Sequence, residues 1–282
     1  TIQGLVEFMI HLGFPISCAY DRLEEYVCHI DGLDENTSQK CTYTRDEARL
    51  GWVTKLFGPQ RLGGINETGY DFVEAICDWV QERGKPEASV CEILQAEGNP
   101  HVRTANVFYS HGQKQRPDVM LDFMIIGCMA HAASLPPMNE IVMWLDFTSL
   151  RQCVDDFNVD RIRALIAGIN CTMAELGKTH MEEPGSGRYL ERVFCIFELL
   201  STIESNSTLL CQMNMKLARG MEHWLEEHPV RSRHAKSRDS THEAMIKSFI
   251  ERSIGFKELD KVITKAMTDG AVRVLDMVDT PP

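Results

Sequence analysis

The chain has 282 residues, 44% of them hydrophobic and 25% charged, fractions that are typical of a soluble globular protein. Its 41 acidic residues outnumber the 29 basic ones and give a formal net charge of −12, which argues against a nucleic-acid partner because phosphate neutralisation needs a basic face. Polar residues interrupt every apolar stretch before it reaches the length that spans a bilayer, so no transmembrane segment is expected.

The ten cysteines include no Cys-x-x-Cys pair and no Cys/His quartet with the spacing of a zinc site. Most of them lie in apolar runs, where thiols behave as small hydrophobic side chains. We therefore expect reduced cysteines and an intracellular, cytoplasmic location. Because the chain begins at Thr1 rather than at Met, import into an organelle after removal of a targeting peptide stays open.

Two polar clusters near the C-terminus are weak candidates for binding. His223 and His228 are five residues apart and point to different sides of a helix, so no metal site is predicted there. The basic cluster from Arg231 to Arg238 is short and lacks aromatic residues. It is interpreted as a solvated loop, with a contact to an anion or to a partner as the alternative.

Hydrophobic spacing divides the chain into two regions and a tail. Residues 1–100 are predicted to form a helical N-terminal region, with helices at 2–12, 19–30, 45–57, 68–83 and 87–97 and loops at 31–44 and 58–66. In residues 101–270 short strands alternate with helices, which predicts an α/β domain with a parallel sheet covered on both faces. The predicted strands are 105–110, 141–146, 170–176 and 208–212. The predicted helices are 119–133, 156–167, 189–204, 216–227, 240–253 and 256–268, before a tail at 271–282.

The predicted helix 189–204 is distinctive because its polar residues form one narrow stripe at helical spacing. The stripe consists of Glu191, Cys195, Glu198, Thr202 and Ser205. The remaining circumference is apolar, so the helix must be packed on nearly all sides. The simpler interpretation is that the stripe is the solvated edge of a core helix. If it faces a cleft instead, Glu198 is the best candidate for a reactive carboxylate.

Several polar side chains are predicted to converge at one edge of the sheet. Ser110 and His111 follow the first strand, Asp146 ends the second, and Glu198 lies on the helix after the third. Open parallel sheets bind ligands beyond the carboxyl ends of their strands, which is where these groups fall. His111 has no evident partner in the sequence and is interpreted as a partly buried histidine rather than a general acid or base. Cys195 is not expected to act as a nucleophile, since a neighbouring carboxylate raises the pKa of a thiol.

Three stretches together resemble a known family. They read Val107-Phe-Tyr-Ser-His111, Val142-Met-Trp-Leu-Asp146 and Arg192-Val-Phe-Cys-Ile-Phe-Glu-Leu199. Their order resembles the Toll/interleukin-1 receptor (TIR) domain and, more closely, a divergent TIR-like family of microalgal proteins, over roughly residues 88–268. The third stretch is the most specific. The resemblance implies a flavodoxin-like fold, and Gln113 and Phe194 replace two tryptophans of the family pattern.

The resemblance implies two alternative functions. Some TIR domains cleave NAD at the nicotinamide–ribose bond with a glutamate that corresponds to Glu198, and others only assemble with partners. The replaced tryptophans and the long N-terminal region favour a non-catalytic interaction module, an adaptor, scaffold or subunit that binds protein partners or itself and requires no cofactor. The alternative is an NAD glycohydrolase, with Glu198 as the catalytic carboxylate and Ser110, His111 and Asp146 lining the nucleotide site. An open pocket lined by Glu198 would support catalysis, whereas filling by Phe147 or by the N-terminal helices would argue against it.

Overall fold

A four-stranded, all-parallel sheet flanked by helices forms the centre of the computed structural model, which describes residues 1–11, 69–113, 117–137, 140–176, 189–213 and 215–279. The strands are β1 (Val107–Ser110), β2 (Met143–Trp144), β3 (Cys171–Glu175) and β4 (Thr208–Gln212). They lie in the order β2-β1-β3-β4, and each neighbouring pair is parallel. This order is that of doubly wound, flavodoxin-like sheets, so the predicted fold class is confirmed.

Helices of 4 to 24 residues flank the sheet within the described part of the chain. In chain order they are α1 (Ile2–His11), α2 (Gly69–Glu82), α3 (Val90–Ala96), α4 (Pro117–Ala130), α5 (Asp146–Ser149), α6 (Val159–Ile169), α7 (Val193–Glu204), α8 (Met215–Arg219), α9 (Met221–Glu227), α10 (Ser240–Arg252) and α11 (Phe256–Asp279). Short 3-10 turns occur at Ala132–Ser134, Tyr189–Glu191 and Ser232–His234. None of these helices is both long enough and apolar enough to cross a membrane.

Two hydrophobic cores lie on the two faces of the sheet, and β1 contributes to both. Phe108 packs in the core formed with α6, α7 and α11. Val107 and Tyr109 pack in the other core, together with α1, α2 and α4. Successive residues of a strand point to opposite faces, and all four residues of β1 are buried because helices cover both faces. The described part of residues 1–100 therefore shares a core with the sheet.

Most predicted elements match the structure, and the differences occur at their ends. Strand β4 has the predicted bounds, whereas β2 is paired only at Met143–Trp144 because Asp146 already begins α5. The prediction places Asn170 in a strand, but this residue ends α6 with a left-handed φ of 61°. The last helix runs to Asp279, through most of the predicted tail.

Of the remaining predicted elements, one differs from the structure and several lie outside the described residues. The predicted helix 216–227 is divided in two at Gly220. The predicted helices 19–30 and 45–57 and the loops 31–44 and 58–66 lie outside the described residues. The division of the chain into regions 1–100 and 101–270 stays a prediction.

Candidate functional site

The polar stripe of α7 faces the interior rather than solvent. Cys195 and Thr202 are fully buried, and Glu198 is half-buried. The Thr202 hydroxyl donates to Thr172 Oγ1 of β3 at 2.8 Å, which turns this side of the helix toward the sheet. The interpretation of the stripe as a solvated edge is therefore wrong for its middle, from Cys195 to Thr202, whereas Glu191 before the helix is exposed. Periodicity shows which residues share a helix face but does not show what that face contacts.

Glu198 is held at the carboxyl end of β1 by a buried hydroxyl. Ser110 Oγ donates to Glu198 Oε2, and the Tyr189 hydroxyl lies 2.5 Å from Ser110 Oγ on its other side. Burial raises the pKa of Glu198 to about 8, against the opposing effects of the Ser110 hydrogen bond and the charges of His111 and Arg192. A carboxyl with this pKa is mostly protonated at neutral pH, unlike an ordinary surface glutamate.

His111 and Asp146 form the second pair at this edge. His111 Nε2 lies 2.8 Å from Asp146 Oδ1, which also accepts from the Phe147 backbone N–H at 2.7 Å. Burial alone would lower the pKa of His111, but the charge and hydrogen bond of Asp146 raise it overall. Burial likewise disfavours the charged form of Asp146, and yet His111 lowers the pKa of its carboxyl. Each group therefore favours the charged form of the other, although His111 Nδ1 is buried with no hydrogen-bond partner among the described residues. Asp146 is the partner that the sequence did not reveal.

Gln113 connects this pair to the start of α7. Its side-chain Nε2 donates to Asp146 Oδ2 at 2.9 Å, and its Oε1 accepts from Arg192 Nη2 at 2.9 Å. The sequence showed Gln113 only as the replacement of a tryptophan, so its linking role was missed. An amide can donate to a carboxylate and accept from a guanidinium at the same time, which an indole cannot.

Aromatic side chains cover His111 from the side of the N-terminal helices. The Phe147 ring lies 4.8 Å from the His111 ring, and Phe72 of α2 lies 5.4 Å from Phe147, centroid to centroid in both cases. Gly69, at the start of α2, packs so closely that a Cβ there would lie 2.1 Å from the Gln113 carbonyl oxygen. Helix α2 and Phe147 thus close this side of the predicted cleft.

Two cavities are bordered by described residues, and Tyr189, whose hydroxyl contacts Ser110, lines the first of them. One, of 290 Å³, lies between the end of β3, α9 and the 3-10 turn Ser232–His234. The other, of 620 Å³, lies between α1, α3, β2 and α6. The residues that line them do not include Glu198, His111 or Asp146. Of the predicted site residues, the structure brings Ser110 to Glu198 and His111 to Asp146, but neither cavity opens onto them.

Two further polar contacts at the strand ends were missed by sequence reasoning. The buried Tyr109 hydroxyl donates to Glu175 Oε2 at 2.7 Å, across the β1–β3 pair. The buried Cys195 thiol donates to the His111 carbonyl oxygen at 3.4 Å, and burial raises its pKa well above the usual value. Cys195 is therefore a protonated thiol at neutral pH.

The described residues include no group of three or more His, Cys, Asp and Glu side chains that could hold a metal ion. Comparison of the chain with protein-family models, with curated proteins and with solved structures finds no match. The likeness to TIR-like proteins therefore depends on the three sequence stretches alone.

Proposed function

We propose that the protein is a TIR-like interaction module that acts without catalysis as an adaptor, a scaffold or a subunit of a larger assembly. The observation that carries this proposal is that the polar side chains at the strand ends bind one another. Asp146 accepts from His111 and from Gln113, and Gln113 accepts in turn from Arg192. Phe147 and α2 cover this network, which is the arrangement expected of a structural polar cluster rather than of a substrate site.

The basic cluster from Arg231 to Arg238 supplies a surface for such an interaction. Arg231, Arg233 and Lys236 are exposed, whereas the intervening Ser232 is buried. The Ser232 backbone N–H donates to Asp260 Oδ1 at 2.8 Å, and the Lys236 N–H donates to the Glu191 carbonyl oxygen at 2.7 Å. Arg233 and Lys236 also pair within the chain, with Glu251 at 3.4 Å and Glu243 at 3.3 Å. Because the chain carries a net charge of −12, we infer that acidic side chains of a second copy compete for this loop.

Reversing two charges of this loop tests self-association. We expect the double variant Arg231→Glu/Arg233→Glu to raise the dissociation constant of the assembly by about tenfold or more, because attraction across the contact becomes repulsion. Assembly of the wild-type protein should weaken with added salt as screening increases. Sedimentation velocity over a concentration series measures both effects.

A matched control is Lys261→Glu on α11, where the side chain is 74% exposed and lies outside the loop. This variant changes charge in the same direction and should leave assembly nearly unchanged. A wild-type protein that stays monomeric at every concentration, or equal weakening by all variants, would contradict self-association through the basic loop.

A second candidate function, NAD glycohydrolase, is favoured by the environment of Glu198. This side chain keeps some exposure, lies beyond the end of β1 and has a pKa raised to about 8 by burial. Perturbed carboxyl groups of this kind concentrate at functional sites. Cleavage of an N-glycosidic bond develops positive charge on the ribose, which a nearby carboxylate stabilises. This chemistry uses the ionised form of Glu198, so its rate should rise as the pH increases toward 8. In this scheme NAD is the substrate and Ser110 positions Glu198. His111 and Asp146, which are covered by aromatic side chains, stabilise the site without contacting NAD.

Incubation with NAD discriminates between the two candidates. The interaction proposal predicts no release of nicotinamide by the wild-type protein at the highest protein concentration, as followed by chromatography. If release occurs, Glu198→Gln should abolish it, because the amide cannot stabilise a developing cation. Glu204→Gln at the exposed end of α7, where Glu204 pairs with Arg163 at 3.0 Å, is the matched control. Release that survives in Glu204→Gln and disappears in Glu198→Gln would overturn the first proposal and establish the second.

A further inference from the structure

Two partly exposed thiols lie against each other beside the site. Cys77 belongs to α2, and Cys153 belongs to the segment between α5 and α6. The Cys153 thiol donates to the Cys77 carbonyl oxygen at 3.8 Å, so the two cysteines are in direct contact. Both side chains are half-buried and reachable from solvent, whereas Cys128, Cys195 and Cys211 are buried.

We propose that Cys77 and Cys153 form a reversible disulfide by exchange with a low-molecular-weight disulfide such as oxidised glutathione. The Cys153 thiolate attacks one sulfur of glutathione disulfide and expels one glutathione thiolate, which leaves a mixed disulfide on Cys153. Cys77 Sγ then attacks the Cys153 sulfur and expels the second glutathione. In total the two protein thiols lose two electrons and two protons, and one glutathione disulfide becomes two glutathione thiols.

The environment of Cys77 explains this order of steps. Burial, with smaller contributions from the neighbouring Cys153, Asp78 and Glu74, raises the pKa of Cys77 to about 12. Cys77 is therefore a poor first nucleophile. Once Cys153 is held in a mixed disulfide, its sulfur is the electrophile that the Cys77 sulfur attacks. The adjacent sulfur then makes the second exchange intramolecular, which offsets the small thiolate fraction.

The bond would connect two elements that cover the site. Helix α2 carries Phe72, which packs on Phe147, and Gln152, next to Cys153, donates to the Asp146 carbonyl oxygen at 2.7 Å. The cover of His111 is already closed in the structure, in which both thiols are free, so a disulfide from α2 to this segment would lock that closed arrangement. This inference does not depend on whether the site binds partners or substrate.

Peptide mapping of the oxidised full-length chain tests the proposal. The reduced protein is equilibrated with glutathione buffers of increasing oxidised fraction, its free thiols are blocked in acid, and it is digested with trypsin. Cys77 falls in the peptide 62–83 and Cys153 in the peptide 152–161, each as the sole cysteine of its peptide. We expect these two linked peptides to be the predominant disulfide product. Because the bond closes a loop across 76 positions, the Tm should rise by about 5 °C or more.

Serine variants supply the controls. Cys77→Ser and Cys153→Ser should each abolish the linked peptides and the rise in Tm, so either variant suffices if the other does not fold. Cys91→Ser should retain both effects, because the Cys91 thiol lies 3.9 Å from the Ser149 hydroxyl rather than beside another thiol. Scrambled disulfides among several cysteines, a failure of the 62–83 and 152–161 peptides to link, or linkage without a change in Tm would each overturn the proposal.

Discussion

Glu198→Gln is expected to be more stable than the wild-type protein at pH 8 by about 3–5 kcal/mol, and to differ from it by less than about 1 kcal/mol at pH 5. The reason is that burial raises the pKa of Glu198 from 4.5 to about 8. A glutamine has nearly the same shape, stays neutral at every pH and can still accept a hydrogen bond from Ser110. The variant therefore removes the cost of ionising a buried carboxyl and little else.

The direction of this effect follows from proton binding. Between the unfolded pKa of 4.5 and the folded pKa of about 8, the folded protein holds a proton on Glu198 that the unfolded chain has released. Stability must therefore fall as the pH rises through this window and level off above it. The raised pKa of His111 makes stability fall with rising pH as well, but His111 is present in both proteins. The difference between wild type and variant thus reports Glu198 together with its smaller effect on the pKa of His111.

Urea unfolding of both proteins at pH 5, 7 and 8 measures the effect. Glu204→Gln provides the baseline, because Glu204 is exposed at the end of the same helix. Its stability curve should run parallel to that of the wild-type protein. If the stability curve of Glu198→Gln also ran parallel to that of the wild-type protein, Glu198 would ionise at an ordinary pKa. The raised pKa would then no longer mark it as a candidate functional carboxyl.

Local sequence patterns account for most of the fold. The bounds of β4 follow from a short apolar strand between a turn and a helix, and the alternation of strands and helices correctly predicts a parallel sheet. Patterns fail where a neighbouring element decides the outcome. Asp146 ends β2 early because its carboxylate binds the next backbone N–H and starts a helical turn. Hydropathy alone cannot show whether Asp146 begins a helical turn or continues the strand by one more residue.

The candidate site was predictable as a set of residues but not as a set of contacts. Ser110, His111, Asp146 and Glu198 converge because parallel strands place their carboxyl ends at one edge. Which of them pair could not be read from the chain, since Ser110 and Glu198 are 88 positions apart and His111 and Asp146 are 35 apart. The cover by Phe147 and α2 also depends on packing between distant segments, on which periodicity carries no information.

Asp146→Asn is expected to destabilise the protein by roughly 1–3 kcal/mol at pH 7, because it replaces the carboxylate that accepts from His111, Gln113 and the Phe147 N–H by a neutral amide. The His111 side chain is only 2% exposed and faces Asp146 Oδ1 at 2.8 Å. Without that charge, burial dominates, and the pKa of His111 should fall below its ordinary value. Urea unfolding measures the loss of stability, and titration of the histidine ring by NMR measures the pKa.

Asp156→Asn is the matched control. It tests whether the loss of stability depends on how deeply the carboxylate is buried or on how deeply its partner is buried. The Asp156 side chain is 12% exposed, slightly less than the 17% of Asp146, but its partner Arg161 is 63% exposed. Water can solvate the guanidinium when the pair is broken, so the loss should stay below about 1 kcal/mol. Equal losses in the two variants would mean that the buried carboxylate alone sets the cost. A larger loss for Asp146 would show that the buried His111 charge holds the network at the strand ends together.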